Sequence, residues 1–165
     1  MRKGKGSEMH TALQKNIQDI LRNKGYLVII EPAFDNRNAD ILVQNPETLQ
    51  TTIIEIELHK NFRHALCSLN SDLKFSDKVI VVCANEIILN TLSELSIKFH
   101  HKDRQRILFV LKNQYIEFIR TLFQNKNNNK IHNKTQNKVR TKLGSELIKE
   151  VIRVNIKKKG NKLHY

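Results

Sequence analysis

Val79-Ile80-Val81-Val82-Cys83 is the segment that most limits how this chain can fold. An unbroken apolar run of strand length suits a strand covered on both faces, and such a strand needs a layer on either side of its sheet. The segments around it can supply those layers. Ser7 is a candidate N-cap for a helix running to Lys24 and stopped by Gly25, with Met9, Leu13, Ile17, Ile20 and Leu21 on one face. Residues 26–30 read as a short strand ended by Pro32, residues 33–38 as a loop, and residues 39–44 as a second strand. After the turn at Asn45-Pro46-Glu47, a third strand covers residues 51–58.

A second helix follows, with Phe62, Ala65, Leu66, Leu69 and Leu73 as its apolar stripe. Beyond the 79–83 strand, Asn85 is placed to cap a third helix carrying Ile88, Leu92, Leu95 and Phe99. Residues 107–111 read as a last strand, and Tyr115, Ile116, Ile119 and Phe123 as a closing helical stripe. The order is αβββαβ, then αβα. It predicts an α/β domain over residues 7–124, a three-layer core with a mixed β-sheet flanked by helices.

Two of these strands carry acids where apolar residues are expected. Asp40 opens the run Ile41-Leu42-Val43, and Glu55 and Glu57 interrupt Ile53-Ile54, Ile56 and Leu58. Residues two apart on a strand share a face, and neighbouring strands lie about 4.8 Å apart. If the two strands are adjacent, three carboxylates converge and repel one another unless protons or a cation intervene. A hard divalent ion such as Mg²⁺ is the usual partner of such oxygens, and the Ile56 carbonyl offers one more. The other reading of the same alternation is a half-solvated strand face whose acids pair with lysines. His59 shares the parity of Glu55 and Glu57, but no second His or Cys has the spacing of a closed zinc site near it.

An acid at the start of the second strand, with acid-x-acid on the third, resembles the PD-(D/E)XK nuclease superfamily, whose restriction-endonuclease-like core follows this order of elements. The resemblance covers residues 7–83 and extends toward 124. It implies Mg²⁺-dependent hydrolysis of phosphodiester bonds, with Mn²⁺ as a substitute and DNA as the expected substrate. On the matching positions, Asp40 and Glu55 are the principal metal ligands, with Ala39 standing where proline is often found. Glu57 sits where lysine is most common and serves as a further ligand or as the general base. Glu8 matches a glutamate of the first helix that acts through water or a second metal, and Lys60 is a surrogate for the missing lysine.

The formal net charge is +13, and its distribution is uneven. The body is neutral, whereas Arg2, Lys3 and Lys5 in the arm 1–6 and the Asn/Lys-rich extension 125–165 hold the excess. In that extension Lys126, Lys130, Lys134, Lys138, Arg140, Lys142, Lys157, Lys158 and Lys159 are candidate nucleic-acid contacts. Leu143, Leu147, Ile148, Val151 and Ile152 allow one amphipathic helix there. The scarcity of aromatic residues before Tyr165 argues for tracking of the phosphate backbone over base stacking. No apolar stretch reaches membrane-spanning length, so no membrane partner is expected. Cys67 and Cys83 lack metal-site spacing and read as free, buried thiols of a reducing, cytoplasmic setting. A homodimer would suit cutting of paired strands. The rivals from other classes are a noncatalytic nucleic-acid-binding protein that retains the nuclease fold, and a protein-interaction module.

Overall fold

The computed structural model describes residues 8–34 and 37–123. Ser7, the arm 1–6 and the basic extension 125–165, with its nine candidate contacts, lie outside the described residues. Helix α1 (Glu8–Asn23) is followed by strands β1 (Leu27–Ile30), β2 (Ala33–Phe34), β3 (Arg37–Asn38), β4 (Ile41–Gln44) and β5 (Thr51–Glu57). Then come α2 (Phe62–Asp72), β6 (Lys78–Cys83), α3 (Glu86–Leu95), a 3-10 turn (Ser96–Lys98), α4 (His101–Arg104), β7 (Ile107–Leu111) and α5 (Tyr115–Leu122).

Local chemistry sets several of these boundaries. Gly25 ends α1 in the left-handed region at φ +85°, a conformation open to glycine without a Cβ penalty. Its N–H and that of Tyr26 close the last turn onto the carbonyls of Arg22 and Leu21. Asn85 caps α3 as expected, its side chain accepting the Ile88 N–H at 3.0 Å. Asn61 does the same for α2, more loosely, from the His64 N–H.

The five-stranded sheet has the order β1-β4-β5-β6-β7. The β1–β4 and β4–β5 pairs are antiparallel, and β5–β6 and β6–β7 are parallel. Side-chain alternation then divides the core in two. Ile41, Val43, Ile54, Ile56, Ile80 and Val82 face α1 and α5, meeting Leu13, Ile17, Leu21 and Ile119. Val79, Val81, Cys83 and Ile107 face the other way, against Ala65 and Leu69 of α2 and Ile88 and Leu92 of α3. The run 79–83 is apolar throughout because both its faces are sealed, each large aliphatic side chain contributing about 1.5–3 kcal/mol by burial.

Three expectations are corrected. Residues 33–38 are not a plain loop: β2 and β3 form a small antiparallel ladder, with Ala33 opposite Asn38 and Phe34 opposite Arg37. Two residue pairs are too few for alternation to register, and the ladder is held by tertiary packing, Phe34 stacking on Phe75 at 5.0 Å. Met9 is 49 % exposed, its sulfur meeting the Lys112 ammonium, because the inner face of α1 runs through Leu13, Gln14, Ile17 and Leu21. Cys67 is exposed, since the inward positions of α2 are Ala65, Ser68, Leu69 and Asp72. Cys83 is free and buried as expected, its thiol pushed up to about 12 first by burial and then by the Glu57 charge.

Candidate functional site

Strands β4 and β5 pair from Gln44↔Thr51 to Ile41↔Ile54 and then part. Asp40 sits at that split. Its Oδ2 accepts the Ile56 N–H at 2.7 Å, so a carboxylate takes over the backbone ladder where the next β4 residue would have continued it. The Asp40 carbonyl accepts from the Glu31 N–H at 2.9 Å and from Gln14 Nε2 at 3.3 Å. The acid is thereby fixed from both ends, and Glu31 beside it holds a left-handed backbone at φ +50°. The other carboxylate oxygen, Oδ1, lies 3.1 Å from His10 Nε2. That hydrogen bond raises the imidazole pKa against the opposing pull of burial, with help from the charges of Asp40, Glu31 and Glu57.

Because Ile54 and Ile56 face α1, Glu55 and Glu57 face the α2 side of the sheet. Glu55 is buried, and its Oε1 lies 2.7 Å from Nη2 of Arg37 on β3. The same Nη2 is 3.2 Å from Oδ1 of Asp72, a carboxylate only 1 % exposed at the end of α2. One guanidinium thus ties together the β2–β3 ladder, the central strand and a helix. Arg37 Nη1 and Asp72 Oδ2 are buried with no hydrogen-bond partner among the described residues.

The electrostatics follow from this crowding. Burial, then the charges of Asp40 and Asp72, push Glu55 up to about 9, with Arg37 pulling it back. Burial also pushes Asp72 up to about 6, against the lowering effect of Arg37. Each of these two acids also shifts the other, Asp72 raising Glu55 and Glu55 lowering Asp72. Glu57 is half-buried and is pushed up to about 7 by burial and by Asp40, with His10 and Arg37 lowering it.

The sequence-predicted trio therefore does converge electrostatically, but in two halves. Asp40 and Glu57 make an upper half beside His10, and Glu55 belongs to a lower, buried half with Arg37 and Asp72. Among the described residues, no group of three or more His, Cys, Asp or Glu side chains is placed to hold a metal ion. His10 and Arg37 lie against carboxylate oxygens of Asp40 and Glu55. The donor chemistry of the upper pair nonetheless suits Mg²⁺, which takes hard oxygens and often only one or two protein carboxylates. The mutual repulsion of Asp40 and Glu57 is the excess charge that a cation would relieve.

Glu8 and Lys60 are not drawn into this arrangement. Both are exposed, and among the described residues no ion pair joins either to the acids. The α1 side chain that reaches Asp40 is His10, two residues after Glu8. His10, Arg37 and Asp72 all escaped the reading of the sequence. For Asp72 a pattern was present: it continues the inward series Ala65, Ser68, Leu69 at helical spacing, a charge on an apolar face. Arg37 offered none, since its burial depends on a ladder of two residue pairs.

Fold and site together define an α/β domain with a mixed five-stranded sheet flanked by helices, and an acidic site where two antiparallel strands part. No family model, curated protein or solved structure gives a significant match to the chain. Among the described residues, no helix is long and apolar enough to cross a membrane.

Proposed function

We propose that this protein is a Mg²⁺-dependent nuclease of restriction-endonuclease-like, PD-(D/E)XK type that hydrolyses phosphodiester bonds in DNA. One observation carries the reading. The Asp40 carboxylate docks on the Ile56 N–H, between Glu55 and Glu57 along the strand, at the point where β4 and β5 separate. The antiparallel β1–β4–β5 meander, followed through α2 by the parallel β6, supports the fold assignment.

In this scheme Asp40 and Glu57 would hold Mg²⁺, with Glu55 as the third carboxylate beneath them. When bound, the ion supplies positive charge at the scissile phosphate and acidifies a water. The Ile56 N–H keeps Asp40 from rotating away. Glu57, with its carboxyl near 7, is basic enough to take a proton from the attacking water. The basic arm and the extension 125–165 hold the DNA backbone.

The pH dependence has a definite sign. Protonation of Glu57 removes a ligand and base, and protonated His10 competes for Asp40, so both effects weaken the site as pH falls. Cleavage is expected to rise about tenfold per pH unit up to about pH 7 and then level. A profile flat from pH 5 to 8 would remove Glu57 from the reaction. For the extension, deleting residues 125–165 is expected to weaken DNA binding by at least about tenfold at low salt and to flatten its salt dependence. An unchanged slope of log K against log salt would refute that role.

The occupation of carboxylate oxygens by Arg37 and His10 favours a second reading, a noncatalytic nucleic-acid-binding protein on the same fold. Incubation with supercoiled, branched and single-stranded DNA in Mg²⁺ or Mn²⁺ separates the two. Metal-dependent cutting supports the nuclease, and tight binding without cutting under every condition supports the rival.

A further inference from the structure

We propose that the ring of Phe75 is a stacking platform for an unpaired base of single-stranded DNA. This deepens the function proposed above and rests on it for the choice of polymer. Among the described residues Phe75 is the one exposed aromatic side chain, at 37 %. Phe34 lies against its ring at 5.0 Å, with the two planes 16° apart. Phe34 in turn packs on Ala39, Leu42 and Ile53. The two rings thus form a stack that begins in the core and ends at the surface, with Phe75 outermost. A base laid on Phe75 continues that stack, and every base has a π-face to offer.

The turn that carries the ring is fixed from several sides. Arg106 donates to the carbonyls of Leu73, Ser76 and Asp77, and its Nη1 pairs with Asp103 at 2.9 Å. The Phe75 N–H closes on the Asp72 carbonyl at 3.0 Å, and Ser76 Oγ donates to the same carbonyl at 2.9 Å. Asp77 Oδ2 accepts the Thr51 N–H at 2.7 Å. A ring presented on so fixed a turn loses little freedom when a ligand settles on it, as a preformed binding surface requires. Charge suits the same polymer. Lys74, next to the ring in sequence, and Lys78, at the far end of the turn, are exposed and in no ion pair among the described residues. Asp77, the exposed acid of the turn, is turned to Thr51. Ile53, which packs with Phe34, shares its strand face with Glu55 and Glu57, so the platform lies on the side of the sheet that carries those acids. The extension, poor in aromatic residues, is left to the phosphates, and the body grips a base.

The chain contains no tryptophan, so Phe75→Trp makes the platform its own reporter. In the full-length protein, titration of this variant with a short oligo(dT) strand is expected to quench the indole fluorescence. An abasic strand of the same length and charge is expected to leave it unquenched. Phe75→Leu keeps an apolar side chain over Phe34 but removes the π-face. It is expected to weaken oligo(dT) binding by at least about tenfold with little change in salt dependence. Equal binding by the wild type and Phe75→Leu, or equal quenching by the abasic strand, overturns the inference and leaves a nuclease acting on duplex DNA intact. A wild-type dimer that Phe75→Leu dissociates in sedimentation assigns the ring to a second copy of the chain and overturns it as well. A wild type that binds neither oligo(dT) nor duplex DNA overturns this inference together with the nucleic-acid reading.

Discussion

Asp40→Asn is expected to lower the rate of DNA cleavage by about a thousandfold while leaving the melting temperature within a few degrees of the wild type. The two effects separate because Asp40 has two tasks. As an acceptor it satisfies the Ile56 N–H at 2.7 Å, and an asparagine carbonyl can continue that bond. In the proposed role it draws a cation, as an anion, to the split between β4 and β5, and asparagine cannot. Asp40→Ala loses both functions and leaves a backbone donor unsatisfied, with a further stability loss of about 1–3 kcal/mol. Single-turnover cleavage and thermal unfolding on the same preparations check the pair. An Asp40→Asn protein that cuts at the wild-type rate would take the proposed site out of the chemistry.

Arg37→Ala is expected to destabilise the domain by about 3 kcal/mol, a fall in melting temperature of about 10–15 °C. Glu55 and Asp72 are both buried, and the guanidinium is the one cation that an ion pair supplies to either among the described residues. Removing it leaves carboxylates to be neutralised by protons alone. Both acids already bind protons more tightly in the folded chain than in the unfolded one, so the folded state loses ground as pH rises through their folded pKa values. The deficit is therefore expected to be largest near pH 8–9 and to shrink toward pH 5. Neutralising the whole group, as Arg37→Met with Glu55→Gln and Asp72→Asn, is expected to recover most of the loss, because the buried charges leave together. A single Arg37→Ala variant as stable as the wild type at pH 8 would show that the cluster is solvated.

Much of the scaffold could be read from residue patterns because those patterns answer to local rules. The run 79–83 called for two covered faces, and the opposite parity of Ile80 and Val81 in the two core clusters meets that demand. Gly25 and Asn85 marked helix ends through backbone freedom and side-chain capping, properties that belong to the residue itself. Asp40, Glu55 and Glu57 stood out for a similar reason: an acid inside an apolar strand is anomalous whatever surrounds it.

The partners of those acids were of another kind. His10 is a half-buried residue on the first helix, and nothing in its spacing points to a carboxylate at position 40. Arg37 lay in a stretch that looked like an ordinary loop, and tertiary packing such as that of Phe34 on Phe75 supports the ladder that aims it. Asp72 meets Arg37 from the end of α2, the helix that joins β5 to β6. The sequence by itself determined the alternation of elements, the two-sided burial of the central strand and the presence of three misplaced acids. Only the tertiary structure decided which charges meet, dividing the acids into an accessible pair and a buried pair already joined to a guanidinium. The physical reason is range: propensity, periodicity and capping act within a few residues, whereas an ion pair acts between side chains that chain order does not bring together.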